Sequence, residues 1–211
     1  MPYYRYRRRR TYRRRTGFKR AYRRRFRART RYSERGQKLY MFKRFCDYGE
    51  LSISNTLPTF AAYNFSLSDL PNSTEFTSLY DMYKINCVVL RFIPQQTQSV
   101  SIGSINNPNA SARFFSAIDY NDGAAPTSLG DLRQYQSCRM TPILRTHKRV
   151  VFKPKILDSN GFSISPWMST ANPSTNYYGL KVAVEPMEST TTTTMTYTIE
   201  AKIYATFKQV K

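Results

Sequence analysis

Acidic side chains are almost missing from the first 44 positions, where Glu34 stands alone among 20 lysines and arginines. Histidine is nearly missing everywhere: His147 is the only one in 211 residues. The three cysteines, Cys46, Cys87 and Cys138, lie far apart and form no C-x-x-C pair. With one histidine and no paired cysteines there is no zinc pattern, and free thiols in a reducing compartment are the simplest expectation. No apolar run approaches the ~20 residues of a membrane-spanning helix, so no membrane insertion is expected. The basic N-terminus lacks the apolar stretch of a secretory signal. Its arginines come in blocks that would charge every face of a helix, which does not suit an amphipathic transit peptide. G-x-S-x-G, the P-loop, H-E-x-x-H and G-x-G-x-x-G are all absent, so no catalytic residue, metal site or cofactor is expected and an enzyme is disfavoured.

What is present is charge of one sign at one end. Residues 1–44 carry a net +19 of the formal +21, leaving a nearly neutral body. Arginine dominates that end, through Arg5, Arg7, Arg8, Arg9, Arg10, Arg13, Arg14, Arg15, Arg20, Arg23, Arg24, Arg25, Arg27, Arg29 and Arg31, with Lys19 among them. Threaded between them are aromatic residues, notably Tyr12, Tyr22, Phe26 and Tyr32. Such a segment cannot bury enough apolar surface to offset self-repulsion and ordering entropy, so residues 1–36 are expected to be a disordered arm. The planar arginine fork binds phosphate bidentately and stacks on bases. Interleaved aromatic rings add base stacking, which favours unpaired strands, and nothing in the pattern encodes base-edge readout. The arm therefore points to single-stranded nucleic acid bound without sequence preference. The same clusters suit a nuclear import signal.

From residue 37 onward the pattern is that of an all-β domain, with short apolar stretches between Pro, Asn, Ser, Gly and Thr clusters and no long helix. The clearest strand runs over 197–208, where Tyr197, Ile199, Ala201, Ile203, Ala205 and Phe207 alternate with mostly polar residues. Further strands are expected at 38–54, 60–67, 83–93, 113–120, 135–140, 147–153 and 178–184, eight in all. The long connections at 68–81, 95–112, 121–134 and 155–176 exceed what tight hairpins need and suit a Greek-key sandwich. The threonine run within 188–194 reads as an exposed loop.

A second basic group runs from Arg133 to Lys155 without an intervening acid. Arg139, Arg145, Lys148, Arg149 and Lys153 in it either line a phosphate-facing inner surface or form an ordinary solvated face with subunit salt bridges; both readings stand. His147 is expected on a strand face beside Arg145, Lys148 and Arg149 rather than in a catalytic site. Asp119, Asn121 and Asp122 read as a turn closed by Asx side chains rather than a metal loop. Asn64, Asn72 and Asn109 match the glycosylation sequon, with nothing directing the chain to the secretory path.

Several stretches carry a family resemblance. Tyr80-Asp81-Met82-Tyr83-Lys84-Ile85-Asn86-Cys87-Val88-Val89-Leu90-Arg91-Phe92-Ile93-Pro94, Ala117 to Asp122, Lys148 to Lys155 and Thr196 to Lys208 resemble, in order and spacing, strands of the capsid proteins of circoviruses and cycloviruses. The resemblance implies an eight-stranded viral jelly roll of two four-stranded antiparallel sheets. It implies a T=1 icosahedral 60-mer of identical chains around a circular single-stranded DNA genome. It further implies nuclear import receptors as partners of the arm, and attachment to a host cell-surface receptor, with sulfated glycans as a candidate, through exterior loops. Sixty arms would bring on the order of a thousand positive charges into one shell, which matches the need to neutralise a confined single strand. The rival from the residues alone is a cellular nucleic-acid-binding protein of ribosomal or chromatin type; its body should itself be basic with short loops.

Overall fold

A computed structural model describes residues 31–32, 38–95, 112–158, 160–161, 163–164, 166–187 and 195–210. Its spine is strand β12 (Met195–Val210), whose odd-numbered residues through Phe207 are buried, as strict alternation requires of a strand with one face on a core. Antiparallel neighbours flank it along most of its length: β2 (Lys38–Ile53) on one side and β4 (Tyr80–Pro94) on the other. The short β1 (Arg31–Tyr32) extends the sheet beyond β2. On the far side of β4 lie β7 (His147–Phe152) and the short β10 (Met168–Ser169), which together complete six strands. A second sheet places β3 (Thr59–Phe65), β11 (Tyr177–Val184), β5 (Arg113–Ala117) and β6 (Arg139–Pro142) in that order, all antiparallel. A separate pair joins β8 (Ile156–Leu157) to β9 (Ser163–Ile164).

The two large sheets hold ten strands rather than the eight expected. The additional ones, β1 and β10, are two-residue edge pairings too short to show any alternation in sequence. The helices, absent from the expectation, sit inside two of the long connections: α1 (Ser73–Leu79) and α2 (Leu129–Gln134). The strand expected at 135–140 is displaced to Arg139–Pro142. Tyr135 and Cys138 instead close turns, with Tyr135 N–H donating to Leu132 O and Cys138 N–H to Tyr135 O.

Two bulges keep the apolar residues of β2 and β4 on the core side. Register shifts between Thr198 and Glu200, so that Tyr48 and Gly49 oppose one residue of β12. Upstream of that point even-numbered Phe42, Cys46 and Tyr48 join the core; downstream it is odd-numbered Leu51 and Ile53. Gly49 supplies the φ of 81° that the bulge needs at no steric cost. In β4 the extra residue is Asn86, after which buried positions change from Tyr83 and Ile85 to Val88, Leu90 and Phe92. A slip of one residue without these bulges would turn half of each strand inside out.

Between the sheets lies an aromatic-rich core. Phe92 of β4 meets Phe114 of β5 with ring centroids 4.9 Å apart and Tyr63 of β3 at 5.4 Å. At the other end, Phe76 of α1 stacks on Phe207 at 4.9 Å, closing the sandwich. Packing is tight where β11 crosses β7: a Cβ on Gly179 would lie 2.6 Å from Val151 Cγ1.

Candidate nucleic-acid interface

The arm residues Arg5 to Arg29, with Tyr12, Tyr22 and Phe26, lie outside the described residues, as do 96–111 and 188–194. The backbone of Arg31 and Tyr32 forms β1, paired with Leu39 and Lys38. Residues 31–32 therefore extend the six-stranded sheet at its edge.

The outer faces of the two sheets differ. That of the four-stranded sheet is partly covered by α2. Helix α2 begins with a capping box, in which Ser128 Oγ accepts from Asp131 N–H and the Asp131 carboxylate accepts from Ser128 N–H, each at 3.1 Å. The helix lays Leu132 over Ala117 and Ala183 in a small satellite core. Arg133 reaches Glu185 at 3.0 Å and lies over the Phe115 ring. Lys181, on this same face, is buried with its ammonium 2.9 Å from Asp119 and 2.6 Å from Asp122. Burial alone would raise the Asp119 carboxyl, but Tyr135 O–H, Asn121 N–H and Lys181 donate to it and hold it below the usual carboxylate range. Asp119 and Asp122 are thus ligands of a lysine, the place a cation would take being filled by the chain itself. Among the described residues no group of three or more His, Cys, Asp or Glu is arranged to hold a metal.

Among the described residues, the outer face of the six-stranded sheet is largely uncovered and basic. Strand register places Phe45, Lys202, Val89 and Val150 in one row across β2, β12, β4 and β7. The next row on that face is Asp47, Glu200, Arg91 and Lys148. Lys43 lies two residues before Phe45, on the same face. Burial lowers the Lys202 ammonium, and Lys43, Arg91 and Lys148 push it further down, while Glu200 opposes them. Farther along the same face, Lys84 is lowered by burial and by Lys153. Arg91 pairs with Glu200 at 3.4 Å, both side chains about half exposed.

Of the second basic group, Lys148 belongs to this face and Lys153 follows directly after β7, both exposed. Arg139 and Arg145 are exposed at and just beyond β6, on the edge of the other sheet. The expectation that His147 and Arg149 share a strand face with Lys148 and Arg145 is corrected, because strand alternation sends them inward. Arg149 is 3 % exposed and donates from Nη2 to Ser137 O at 2.8 Å. Its guanidinium is therefore not presented to a phosphate on the surface. His147, 1 % exposed, has Nε2 2.6 Å from Ser116 Oγ and Nδ1 2.8 Å from Thr141 Oγ1, so it ties β7 to β5 and β6. Its ring stacks on Phe114 at 4.5 Å. Burial, then the charges of Arg149 and Arg139, push its pKa down to about 4, so it is neutral near pH 7. Sequence reasoning missed Lys43, Phe45, Arg91 and Lys202. Their signal was the alternation of β12, which fixes Lys202 on the outer face, but the partners across the sheet follow only from register.

No curated protein sequence matches the chain. Among solved structures, the decameric crystal form of the BFDV capsid protein superposes with a TM-score of 0.56 at 16% identity, over 81% of this chain and 99% of that one. The 60-mer crystal structure of the BFDV capsid protein gives 0.57 at 16% identity, over 82% of this chain and 95% of that one. Tobacco necrosis virus gives 0.53 at 10% identity, over 82% and 97%. These likenesses establish the fold as a viral jelly roll. The family description "Circovirus capsid protein" matches residues 2–211, nearly the whole sequence. The chain belongs to the circovirus capsid protein family.

Proposed function

We propose that this protein is the shell subunit of a small virus, with an arm (1–36) and a jelly-roll domain (37–211). Sixty copies assemble into a T=1 icosahedral capsid, and the arms package circular single-stranded DNA inside it. The arm also serves as the nuclear localisation signal, which places assembly in the host nucleus. Loops on the exterior mediate attachment to a host-cell receptor. The role is structural rather than catalytic.

The observation that supports this reading is the division of charge. A net +19 is confined to residues 1–44, and the remaining body is nearly neutral. A neutral body lets identical subunits pack without mutual repulsion, while a polycationic arm neutralises phosphate by releasing counterions. Residues 31–32 pair at the edge of the six-stranded sheet, whose outer face carries Lys43, Arg91, Lys148 and Lys202. Membership of a capsid family supplies the architecture in which such a division is useful.

Electron microscopy of the purified full chain tests the reading. Uniform closed particles with an absorbance ratio typical of packaged nucleic acid are the expected result. Deleting residues 1–35 should remove the nucleic acid and the nuclear import. Monomers at every salt and protein concentration would overturn the shell assignment, and normal packaging by the deletion variant would overturn the role given to the arm.

A further inference from the structure

Phe45 is 60 % exposed on the outer face of a strand that packs its other aromatic residues, partly buried, against the core on its inner face. Two ammonium groups lie over its ring, Lys202 Nζ at 4.2 Å and Lys43 Nζ at 5.3 Å from the centroid. Beside the ring is a shallow hollow of about 150 Å³, bordered by Val89, Arg91, Lys148, Glu200 and Lys202. It is smaller than the enclosed pockets of ~300 Å³ and more that hold whole drug-sized ligands, and it is open to solvent. An occupant must offer a flat apolar surface to Phe45 and negative charge to the surrounding cations. A second copy of this face would oppose lysine to lysine, and the chain's own arm carries the same sign of charge.

We propose that Phe45, ringed by Lys43, Lys202, Arg91 and Lys148, is a binding site for one unpaired nucleotide, the base stacking on the ring and the phosphates held by the cations. This rests on the reading of the protein as a single-strand-packaging subunit, and it assigns part of the contact to the folded body rather than to the arm. An aromatic face accepts any base, so the site is indifferent to sequence, and it rejects a duplex whose bases are already stacked on one another. Lysine stems are long and flexible, so both ammonium groups can leave the ring for a phosphate while keeping their charge near the base. The half-exposed Arg91–Glu200 pair is weak enough to open toward a phosphate. One Asp47 oxygen accepts from Gly49 N–H at 3.0 Å, turning that carboxylate toward its own backbone. Besides burial, repulsion from Lys43, Arg91 and Lys148 pushes the Lys202 ammonium down, and an arriving anion relieves that repulsion.

The test uses the full chain and an oligothymidine carrying a photoreactive 5-iododeoxyuridine, with adducts mapped by mass spectrometry. Affinities for the single strand and for a duplex of equal length are measured alongside. The wild type should yield an adduct on the peptide containing Phe45. Phe45→Ala and Phe45→Leu should lose that adduct and reduce the preference for single strand over duplex by about 5-fold or more, while Phe45→Trp keeps both. Leu retains an apolar side chain at this exposed position, so a loss in that variant reports the ring and not the fold. Adducts confined to residues 1–36, with the preference unchanged in Phe45→Ala, would overturn the site and leave the packaging function standing. A wild type that binds no single strand at all would overturn both. If Phe45→Ala alters only the sedimentation of nucleic-acid-free protein, the face belongs between copies of the chain and the proposal fails.

Discussion

Acidification should weaken this fold through one residue. His147 sits between the sheets with its pKa pushed from 6.5 to about 4. At about 1.4 kcal/mol per tenfold change in proton affinity, the limiting cost of that neutrality is roughly 3 kcal/mol. Above pH 6.5 the ring is neutral in both folded and unfolded chains, and its full contribution is present. Below that, the unfolded chain takes up a proton that the folded chain refuses, and stability falls until the folded ring itself protonates near pH 4. At pH 4.5 roughly 2.5 kcal/mol of the limit is already lost. The hydroxyls of Ser116 and Thr141 can donate or accept, so hydrogen bonding does not oppose the charged ring; burial and the guanidinium groups of Arg149 and Arg139 do. The assay is urea unfolding of nucleic-acid-free protein at pH 7 and 4.5, for the wild type and for His147→Gln, at one protein concentration. Carboxylates titrating in the same interval contribute to both proteins and drop out of the comparison. The wild type should lose about 2.5 kcal/mol more than the variant. An equal loss in both would refute the argument, since this is the chain's only histidine.

Lys181→Met leaves Asp119 buried beside a methyl group and should cost about 3 kcal/mol by the same urea assay. The double variant with Asp119→Asn should recover part of that cost. Gly179→Ala forces a Cβ toward Val151 and the Tyr120 ring and should cost about 1 to 3 kcal/mol, read as a lower thermal midpoint. If about half the arm engages phosphate, the affinity of the full chain for a single strand should fall with a log–log salt slope on the order of −7, measured by fluorescence anisotropy; a slope near −2 would show that most of the arm is not bound.

The strands that the sequence revealed are those in which one physical signal dominates. β12 alternates without interruption, and β4 carries a long, mostly apolar run because it lies between neighbours with one face on the core. What stayed hidden has local reasons. The bulges at Gly49 and Asn86 break the period of two, and only the partner strand fixes where the phase changes. The capping box of α2 is present in Ser128 and Asp131, but it opens a helix of six residues containing Gly130, too short for a helical period to emerge. Arg149 and His147 read as surface residues because polar types usually are; strand phase places them inside, where Ser116, Thr141 and Ser137 supply their partners. The basic arm was visible from charge alone. The basic sheet face was not, since Lys43, Arg91, Lys148 and Lys202 come from four strands spread over 160 residues.

The central position of β12 also sets the order in which this protein can come into being. On the ribosome the polycationic segment emerges before β2, whereas the strand that joins β2 to β4 is made more than a hundred residues after either has begun. Until then both strands present bare hydrogen-bonding edges, and the six-stranded sheet has no middle. Closure across such sequence separations is slow and leaves apolar edges exposed to other chains. The sheet can therefore close only after β12 has been made, long after β2 and β4, and that order is set by the topology alone.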